Sequence, residues 1–319
     1  MRVSIITPSF NQADFLEETI CSVLDQNVSD LEYFVIDGGS QDGSLDIIHK
    51  YAGQLTGWVS EQDSGQAEAI NKGFARATGE VVAWVNSDDY YLPGAIQAAA
   101  AVFQENPDCA LVYGDVVAIN GAGEPINVMT FGQWGLEDLM QFHILGQPSV
   151  FMRRGALLKA GFLDPSYHFM LDHHLWLRMA QLGPMRYVPE RWSAARYHAA
   201  AKNVAQTDGF SREAFRLAAW MENDPALAPR FRKLRRRVMA GAHRINGHYL
   251  LDGGQFRPAF GAYLRSLALY PPLALPDLKR VLFAAASLVV NVDALKQHYL
   301  QRRTQAVADR LSRGGGSPV

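Results

Sequence analysis

Strand-like and helix-like segments alternate through residues 3–119, and this alternation restricts the possible folds more than any other feature of the sequence. Short runs of β-branched and aromatic residues are each followed by a segment with apolar residues at helical spacing. The pattern predicts strands at residues 3–7, 33–37, 57–60, 80–86 and 110–119, and helices at residues 13–26, 44–51, 65–77 and 93–105. It therefore favours an α/β fold in which a mainly parallel sheet is flanked by helices.

Acidic residues follow several predicted strands at their carboxyl ends, where open α/β sheets bind their ligands. Asp37 ends the second strand, Asp63 follows the third, and the pair Asp88 and Asp89 follows the fourth. Carboxylate oxygens are suitable ligands for Mg²⁺ or Mn²⁺, and these ions in turn bind diphosphates. The alternative interpretation is structural, because Asp-Gly-Gly and Asn-Ser-Asp-Asp are also common turn sequences.

The composition is that of an ordinary folded chain, with 319 residues of which 48% are hydrophobic and 19% charged. Cys21 and Cys109 fit no metal-ligand spacing, which indicates buried thiols in a reducing compartment. The best apolar run, residues 281–290, is about half of the ~20 residues that a membrane-spanning helix needs. We therefore expect a cytoplasmic protein without a membrane span, with disorder confined to a Gly/Ser/Pro tail at residues 313–319.

Charge divides the chain into two parts. Residues 1–210 contain 12 basic and 25 acidic residues, a balance of −13, whereas residues 211–319 contain 18 basic and 7 acidic residues, a balance of +11. We therefore predict one domain over residues 1–210 and a basic helical region over residues 211–312. Within the second region, residues 247–271 resemble a single helical hairpin of the tetratricopeptide type.

The basic helical region has two possible roles. Its charge, which includes the run at residues 230–237, can simply be a solvated helix face. Basic residues beside Leu282, Phe283, Leu288 and Val289 also suit a helix at the interface of an anionic membrane. Nucleic acid is a poor candidate, because no nucleic-acid-binding module is recognisable and the acidic first part repels phosphates.

Five ordered segments of the sequence resemble the family-2 glycosyltransferases, which have the GT-A fold. They are residues 5–12, 35–44, 60–74, 79–89 and 171–180, and the resemblance extends over about residues 1–205. It implies a Rossmann-like sheet domain, here followed by an all-helical C-terminal region. It also implies transfer of a sugar from a nucleoside-diphosphate sugar to a hydroxyl of a glycan or a lipid-linked acceptor, in polysaccharide or lipid-linked glycan synthesis.

The resemblance also implies roles for individual residues. Those placed near the nucleoside and the rest of the donor are Pro8, Phe10, Asp37, Asp63 and Asn71. Asp88 corresponds to the acid that contacts the ribose or the diphosphate, and Asp89 to the direct ligand of Mn²⁺ or Mg²⁺. His198, in the segment Arg196-Tyr-His198, corresponds to the histidine that completes the metal shell, although a lone histidine is more often structural.

Two further positions concern the acceptor side. The family's acid pair, usually Glu-Asp, is represented here by Leu171 and Asp172, so Asp172 is the predicted general base. Gln147 begins a predicted strand, residues 147–151, and either donates a hydrogen bond to sugar or is a satisfied core amide. His174 is predicted to be a wall residue rather than a metal ligand.

The chemistry favours inversion at the sugar carbon. An inverting transfer needs one base for the acceptor hydroxyl, whereas retention by double displacement needs a second nucleophile, which the sequence does not offer beside Asp172. Two other functions stay open at this point. The replacement of an acid by Leu171 is compatible with a nucleotide-sugar-binding protein that has lost transfer, and the helical region is compatible with a scaffold that binds a partner.

Three tryptophans are predicted to be core residues: Trp58, Trp84 and Trp134. Trp134 lies in a loop bounded by glycines, so a ring that stacks on a sugar face is its alternative role.

Overall fold

The computed structural model describes residues 1–198 and 207–288. The chain forms two compact units. The first consists of Met1–Ile119, Val128–Gly135 and Leu145–Arg196, and the second of Asn120–Asn127, Leu136–Ile144 and the chain from Tyr197 onward. The tail predicted at residues 313–319 lies outside the described residues.

The strands form one nine-stranded sheet. They are β1 (Val3–Ser9), β2 (Leu31–Asp37), β3 (Gly57–Ser60), β4 (Val81–Trp84), β5 (Tyr90–Tyr91), β6 (Leu111–Asn120), β7 (Pro125–Met129), β8 (Val150–Arg153) and β9 (Met185–Tyr197). Their order in the sheet is β3-β2-β1-β4-β8-β6-β9-β5, and β7 pairs with β6.

The sheet is parallel in its first half and mixed in its second. β1 pairs in parallel with β2 and β4, and β2 pairs in parallel with β3. β8 lies between β4 and β6 and is antiparallel to both, while β5 is antiparallel to β9. The predicted α/β sheet with flanking helices is confirmed. Its second half is mixed because β8 runs antiparallel to both of its neighbours, β4 and β6.

The helices are α1 (Ala13–Leu24), α2 (Ser44–Tyr51), α3 (Gln66–Arg76), α4 (Ala95–Glu105), α5 (Leu136–Met140), α6 (Arg154–Ala160), α7 (Leu171–Met179), α8 (Thr207–Asn223), α9 (Ala228–Asp252), α10 (Phe256–Leu269), α11 (Pro271–Ala274) and α12 (Leu278–Ala286). β1 and β4 are buried along their whole length, as expected for central strands covered on both faces. Within the described residues, no helix is long and apolar enough to cross a membrane.

Two local predictions are wrong. Residues 147–151 were expected to be one strand, but Gln147–Ser149 form a 3₁₀ turn and the strand begins at Val150, because Pro148 cannot donate to a sheet. Trp58 was expected in the core but is 37% exposed, because β3 is an edge strand. Trp84 is buried, as predicted.

The second unit is mainly helical and has a core of its own. Leu251, Tyr263 and Val281 bring α9, α10 and α12 together in one apolar cluster. A Cβ added at Gly247 would lie 3.1 Å from the Tyr263 ring, so a glycine allows α9 and α10 to approach closely. Gly254 takes a left-handed φ of 76° in the turn between these two helices.

Candidate active site

A tight turn at the end of β4, called the acid turn (residues 86–89), carries the two predicted acids Asp88 and Asp89. The amide N–H of Asp89 donates to the carbonyl of Asn86 at 3.1 Å, which closes the turn. Asp88 is half-buried, whereas Asp89 is only 6% exposed. β5 follows directly, so the turn is fixed by a strand on each side.

The Asp89 carboxylate is held by two hydrogen bonds. Its Oδ1 accepts from the Arg196 backbone N–H at 2.9 Å, and its Oδ2 accepts from Asn86 Nδ2 at 3.2 Å. Burial raises the pKa of Asp89 well above its ordinary value and the Asp88 carboxylate raises it further, whereas the bonds from Arg196 and Asn86 oppose the rise. A buried acid next to a second carboxylate is an environment that a cation stabilises.

Arg196 ties this turn to α1, a role that no local feature of the sequence indicates. Its side chain is buried; Nε donates to the Asp88 carbonyl at 3.0 Å and Nη2 donates to the Glu18 carboxylate. The guanidinium also lies 4.7 Å from the centroid of the Phe15 ring. The family resemblance of the segment Arg196-Tyr-His198 implies a role for its histidine only.

A chain of three side-chain amides supports the turn from the other side. Gln66 Nε2 donates to Asn86 Oδ1 at 2.7 Å, and Asn86 Nδ2 donates to Gln147 Oε1 at 3.1 Å. Gln147 Nε2 donates in turn to the Trp84 carbonyl at 2.9 Å. Because that carbonyl can only accept, it fixes the orientation of every amide in the chain. Gln147 thus lies at the acid turn, and its predicted bond to sugar stays a prediction.

The loop after β2 is built around Asp37. This carboxylate is fully buried and accepts four hydrogen bonds, from the backbone N–H groups of Gly39 and Ser40 and from the hydroxyls of Ser40 and Ser60. A side chain with so many internal partners holds the loop in shape. Its predicted contact with the nucleoside stays a prediction.

The side chains of Phe10 and Asp63 both lie close to Gly38. A Cβ added at Gly38 would be 2.8 Å from Asp63 Oδ2 and 3.3 Å from Phe10 Cδ2. The Phe10 ring is 60% exposed and so can present a face to a ligand. Pro8, by contrast, is buried in β1 opposite Ile36, where it stiffens the strand that leads to Phe10.

The segment leading to Asp172 is tied to α3. Asn71 Nδ2 donates to the Leu163 carbonyl at 2.8 Å, and Asn71 Oδ1 accepts from the Leu163 N–H at 2.9 Å. The amide therefore positions the chain before α7, and its predicted contact with the donor stays a prediction. Asp172 is half-buried in the first turn of α7, where its Oδ1 accepts from the His173 N–H at 2.7 Å.

The two predicted histidines have different surroundings. His174 is buried, and its ring centroid lies 4.4 Å from that of Tyr167. Its predicted place in the wall of the site stays a prediction. His198 belongs to the second unit and lies beside Gly121. Its predicted place in a metal shell stays a prediction.

The acid turn fits a divalent metal ion that is bound together with a substrate. Among residues 1–198 and 207–288, no three His, Cys, Asp or Glu side chains lie close enough together to hold a metal ion by themselves. Mg²⁺ sites commonly use one or two carboxylates, and waters and substrate phosphates complete the shell. Asp89, with Asp88 beside it, matches that kind of site.

Two solved structures are similar to this fold. A mannosyltransferase of Pyrobaculum calidifontis, solved with GDP-Man and Mn²⁺, has a TM-score of 0.58 and 20% identity, over 99% of this chain and 88% of its own. Staphylococcus aureus TarS, solved with UDP-GlcNAc, has a TM-score of 0.58 and 16% identity, over 88% and 92%. The mixed sheet flanked by helices is thus the GT-A fold.

Sequence comparison shows the family. The family model described as glycosyl transferase family 2 matches residues 4–164. An uncharacterized glycosyltransferase of Nostoc, alr2836, is 31% identical over 235 residues, which cover 70% of this chain and 73% of the relative. The putative teichuronic acid biosynthesis glycosyltransferase TuaG of Bacillus subtilis is 29% identical over 187 residues, covering 57% and 73%. The chain belongs to glycosyl transferase family 2 and is a glycosyltransferase.

Proposed function

We propose that this enzyme transfers a sugar, with inversion, from a nucleoside-diphosphate sugar to a hydroxyl of a glycan or a lipid-linked acceptor. The observation that carries the proposal is the turn at Asp88 and Asp89, held at the end of a buried strand by Arg196 and by the amide chain through Asn86. Two adjacent carboxylates held in this way suit a metal-bound diphosphate.

The donor would lie along the edge where β1 and β2 end. The exposed Phe10 ring offers a face to the nucleobase, and the hydrogen bonds to Asp37 hold the neighbouring loop in shape. Asp63, next to Gly38, would accept a hydrogen bond from the nucleoside. The identity of the base would depend on how these groups match its edge.

Asp89 would hold the divalent cation, and Asp88 would lie on the diphosphate side. Bound there, Mn²⁺ or Mg²⁺ would act as a Lewis acid and stabilise the charge of the departing nucleoside diphosphate. Arg196 and Asn86 would keep the Asp89 oxygens in place, since each donates to one of them.

Asp172 would take the proton from the acceptor hydroxyl. It lies in the first turn of α7, one helical turn before Trp176, whose ring stacks on Trp84 of β4. A single base on the acceptor side, opposite the leaving group, is what an inverting displacement requires. Leu171, where related enzymes have a second acid, is 6% exposed and packs into the core.

The relatives suggest the class of product. They include proteins named for teichuronic acid biosynthesis and for chondroitin synthesis, which are both polysaccharides. We propose that the product here is also a surface polysaccharide or a lipid-linked glycan. Such an enzyme would work in the cytoplasm at the inner face of the membrane, where lipid-linked acceptors are found.

A panel of UDP- and GDP-sugars with Mn²⁺ tests the proposal through release of the nucleoside diphosphate and through thermal stabilisation by UDP or GDP. Asp172→Asn should lower turnover by about 10²–10⁴-fold without loss of donor binding. Asp89→Ala should abolish the part of the stabilisation that depends on Mn²⁺. Asp46→Asn, in the exposed first turn of α2, is the matched control.

Two results would count against the proposal. Unchanged turnover in both the Asp89 and the Asp172 variants would show that the assigned residues are wrong. Donor binding without release of nucleoside diphosphate, across a broad acceptor panel, would identify a binding protein instead of an enzyme.

A further inference from the structure

A basic groove lies in the second unit. None of its residues has a role in the sugar transfer proposed above. It has a volume of about 420 Å³ and is lined by residues 232–237 of α9 and by residues 269–271. Five of these nine residues are Arg or Lys. The Arg237 guanidinium lies 4.8 Å from the centroid of the Tyr270 ring, which gives the groove a fixed wall.

An exposed leucine face follows the groove in the chain. Leu275, Leu278 and Leu282 are 53%, 45% and 60% exposed. They are spaced by three and four residues along a 3₁₀ turn and α12, which places them on one side of the helix. Val281 and Ala284, on the other side of α12, are buried in the core of the unit.

This arrangement is not required by the fold. α12 already buries one apolar side, so its exposed leucines form a second apolar side in contact with water. The acids close to the leucine face are paired, since Asp277 lies 3.4 Å from Arg244 and Asp252 lies 3.1 Å from Arg280. These two acids are therefore neutralised, in a part of the chain whose charge balance is +11 over residues 211–319.

We infer that the basic groove and the leucine face together bind an anionic phospholipid surface. Phosphate headgroups would occupy the groove, and the leucine face would enter the boundary between headgroups and acyl chains. Pro271 of the groove and Leu275 of the leucine face are four residues apart in the chain, which keeps the two features close together. A soluble polyanion would engage the groove but would leave the leucines in water, and for that reason a membrane is the better partner. The inference rests on the membrane contact of the proposed function and gives it a location.

Vesicle co-sedimentation of the full chain tests the inference. Binding is expected to vesicles in which about one third of the lipid is phosphatidylglycerol, with little binding to pure phosphatidylcholine, and it should weaken as salt increases. The triple variant Arg232→Gln, Lys233→Gln, Arg236→Gln should weaken binding by about tenfold or more. The triple variant Leu275→Ser, Leu278→Ser, Leu282→Ser should weaken it by a similar factor.

Matched controls come from the first unit. The variant Leu158→Ser, Leu182→Ser changes leucines that are 49% and 44% exposed, and it should bind vesicles like the unmodified protein. Replacement of the exposed Arg76, Arg186 and Arg191 by Gln removes the same charge as the groove variant and should have little effect.

The outcomes separate this inference from the enzymatic proposal. Equal binding to neutral and anionic vesicles would overturn the inferred binding to an anionic membrane. An equal loss of vesicle binding in the control variants would overturn it as well. A further result would also overturn it: the groove variant loses binding to inorganic polyphosphate, but every variant still binds vesicles. The groove would then bind a soluble polyanion and not a membrane. If the expected vesicle pattern is found but no sugar is transferred, the surface stands and the enzymatic proposal fails.

Discussion

Trp84 on β4 and Trp176 on α7 stack with their ring centroids 5.2 Å apart and an interplanar angle of 27°. Both rings are buried, at 1% and 0% exposed. Trp84 precedes Asp88 by four residues and Trp176 follows Asp172 by four residues. The stack therefore links the strand that leads to the predicted metal ligand with the helix that carries the predicted base.

Truncation of this stack should affect both stability and transfer. Trp176→Ala should lower the free energy of unfolding by about 3–5 kcal/mol, because a large buried ring leaves a cavity. The turnover rate should fall by up to about 10²-fold, since a small displacement of a base is enough for that loss. Urea unfolding and initial rates at saturating donor measure the two effects.

Trp58→Ala is the control for this prediction. Trp58 is 37% exposed on the edge strand β3, so its truncation should cost about 1 kcal/mol or less and leave the rate unchanged. Equal destabilisation by both substitutions, or a full rate in Trp176→Ala, would contradict the role given to the stack.

The elements of the first half could be predicted from the sequence because their signals are local. Apolar spacing located β1–β4 and α1–α4 to within about two residues. These signals do not fix the exact first residue of an element. At α4 a helix was expected from residue 93, but Gly94 takes a left-handed φ of 83° and the helix begins at Ala95. The order of strands is not local, and so neither the insertion of β8 nor the exposure of Trp58 on an edge strand was predictable.

Asn86 offers a sharper test of the acid turn. Its Nδ2 donates both to Gln147 Oε1 and to Asp89 Oδ2. Asn86→Asp would place an acceptor against those two oxygens, whereas Asn86→Ala only removes the hydrogen bonds. Asn86→Asp should therefore lower turnover by about 10²-fold and Asn86→Ala by about tenfold, although aspartate has nearly the shape of asparagine.

The matched control is Asn27→Asp, which makes the same chemical change at an exposed asparagine whose Nδ2 donates to the Asp25 carbonyl. It should keep the full rate. A rate for Asn86→Asp equal to or above that of Asn86→Ala would show that the fixed orientation of the amides is unimportant.

The acidic residues of the candidate site could be predicted from the sequence, but the residues that hold them in place could not. The acids at the ends of strands are visible in the sequence because each follows an apolar run. The amide chain joins Asn86 to residues 20 and 61 positions away, and Arg196 reaches Asp88 across 108 positions. Partners so distant in sequence are brought together only by tertiary packing.

Gly38 should control donor affinity. A methyl group there would lie 2.8 Å from Asp63 Oδ2, so Gly38→Ala must displace the Asp63 carboxylate or the Phe10 ring. We expect KM for the nucleotide sugar to rise by about tenfold with kcat and the unfolding midpoint nearly unchanged. Gly53→Ala is the control, because a Cβ at Gly53 would have no atom within 4 Å. An unchanged KM in Gly38→Ala would show that Phe10 and Asp63 do not contribute to donor binding.

Glu32 should make the stability of the enzyme sensitive to acid. Its carboxylate accepts from Ser4 Oγ at 2.5 Å, from the Thr78 N–H at 2.8 Å and from the Gly79 N–H at 3.2 Å. Burial raises the pKa of Glu32, but the hydrogen bonds from Ser4, Thr78 and Gly79 outweigh it, and the net pKa lies below the ordinary 4.5. Because the folded state lowers this pKa, the stabilisation is complete above pH 4.5 and is lost as the pH falls through the lowered value.

Glu32→Gln should therefore destabilise the fold at neutral pH by about 1–3 kcal/mol, because the amide offers one acceptor oxygen where the carboxylate offers two. The difference from the unmodified enzyme should shrink as the pH falls from 4.5 through the lowered pKa of Glu32, because the unmodified side chain then also becomes uncharged. Urea unfolding at pH 7 and at about pH 3 measures both differences. Glu105→Gln, at the exposed end of α4, should show neither effect. A destabilisation by Glu32→Gln that is the same at both pH values would show that the ionised carboxylate is not what stabilises this corner of the sheet.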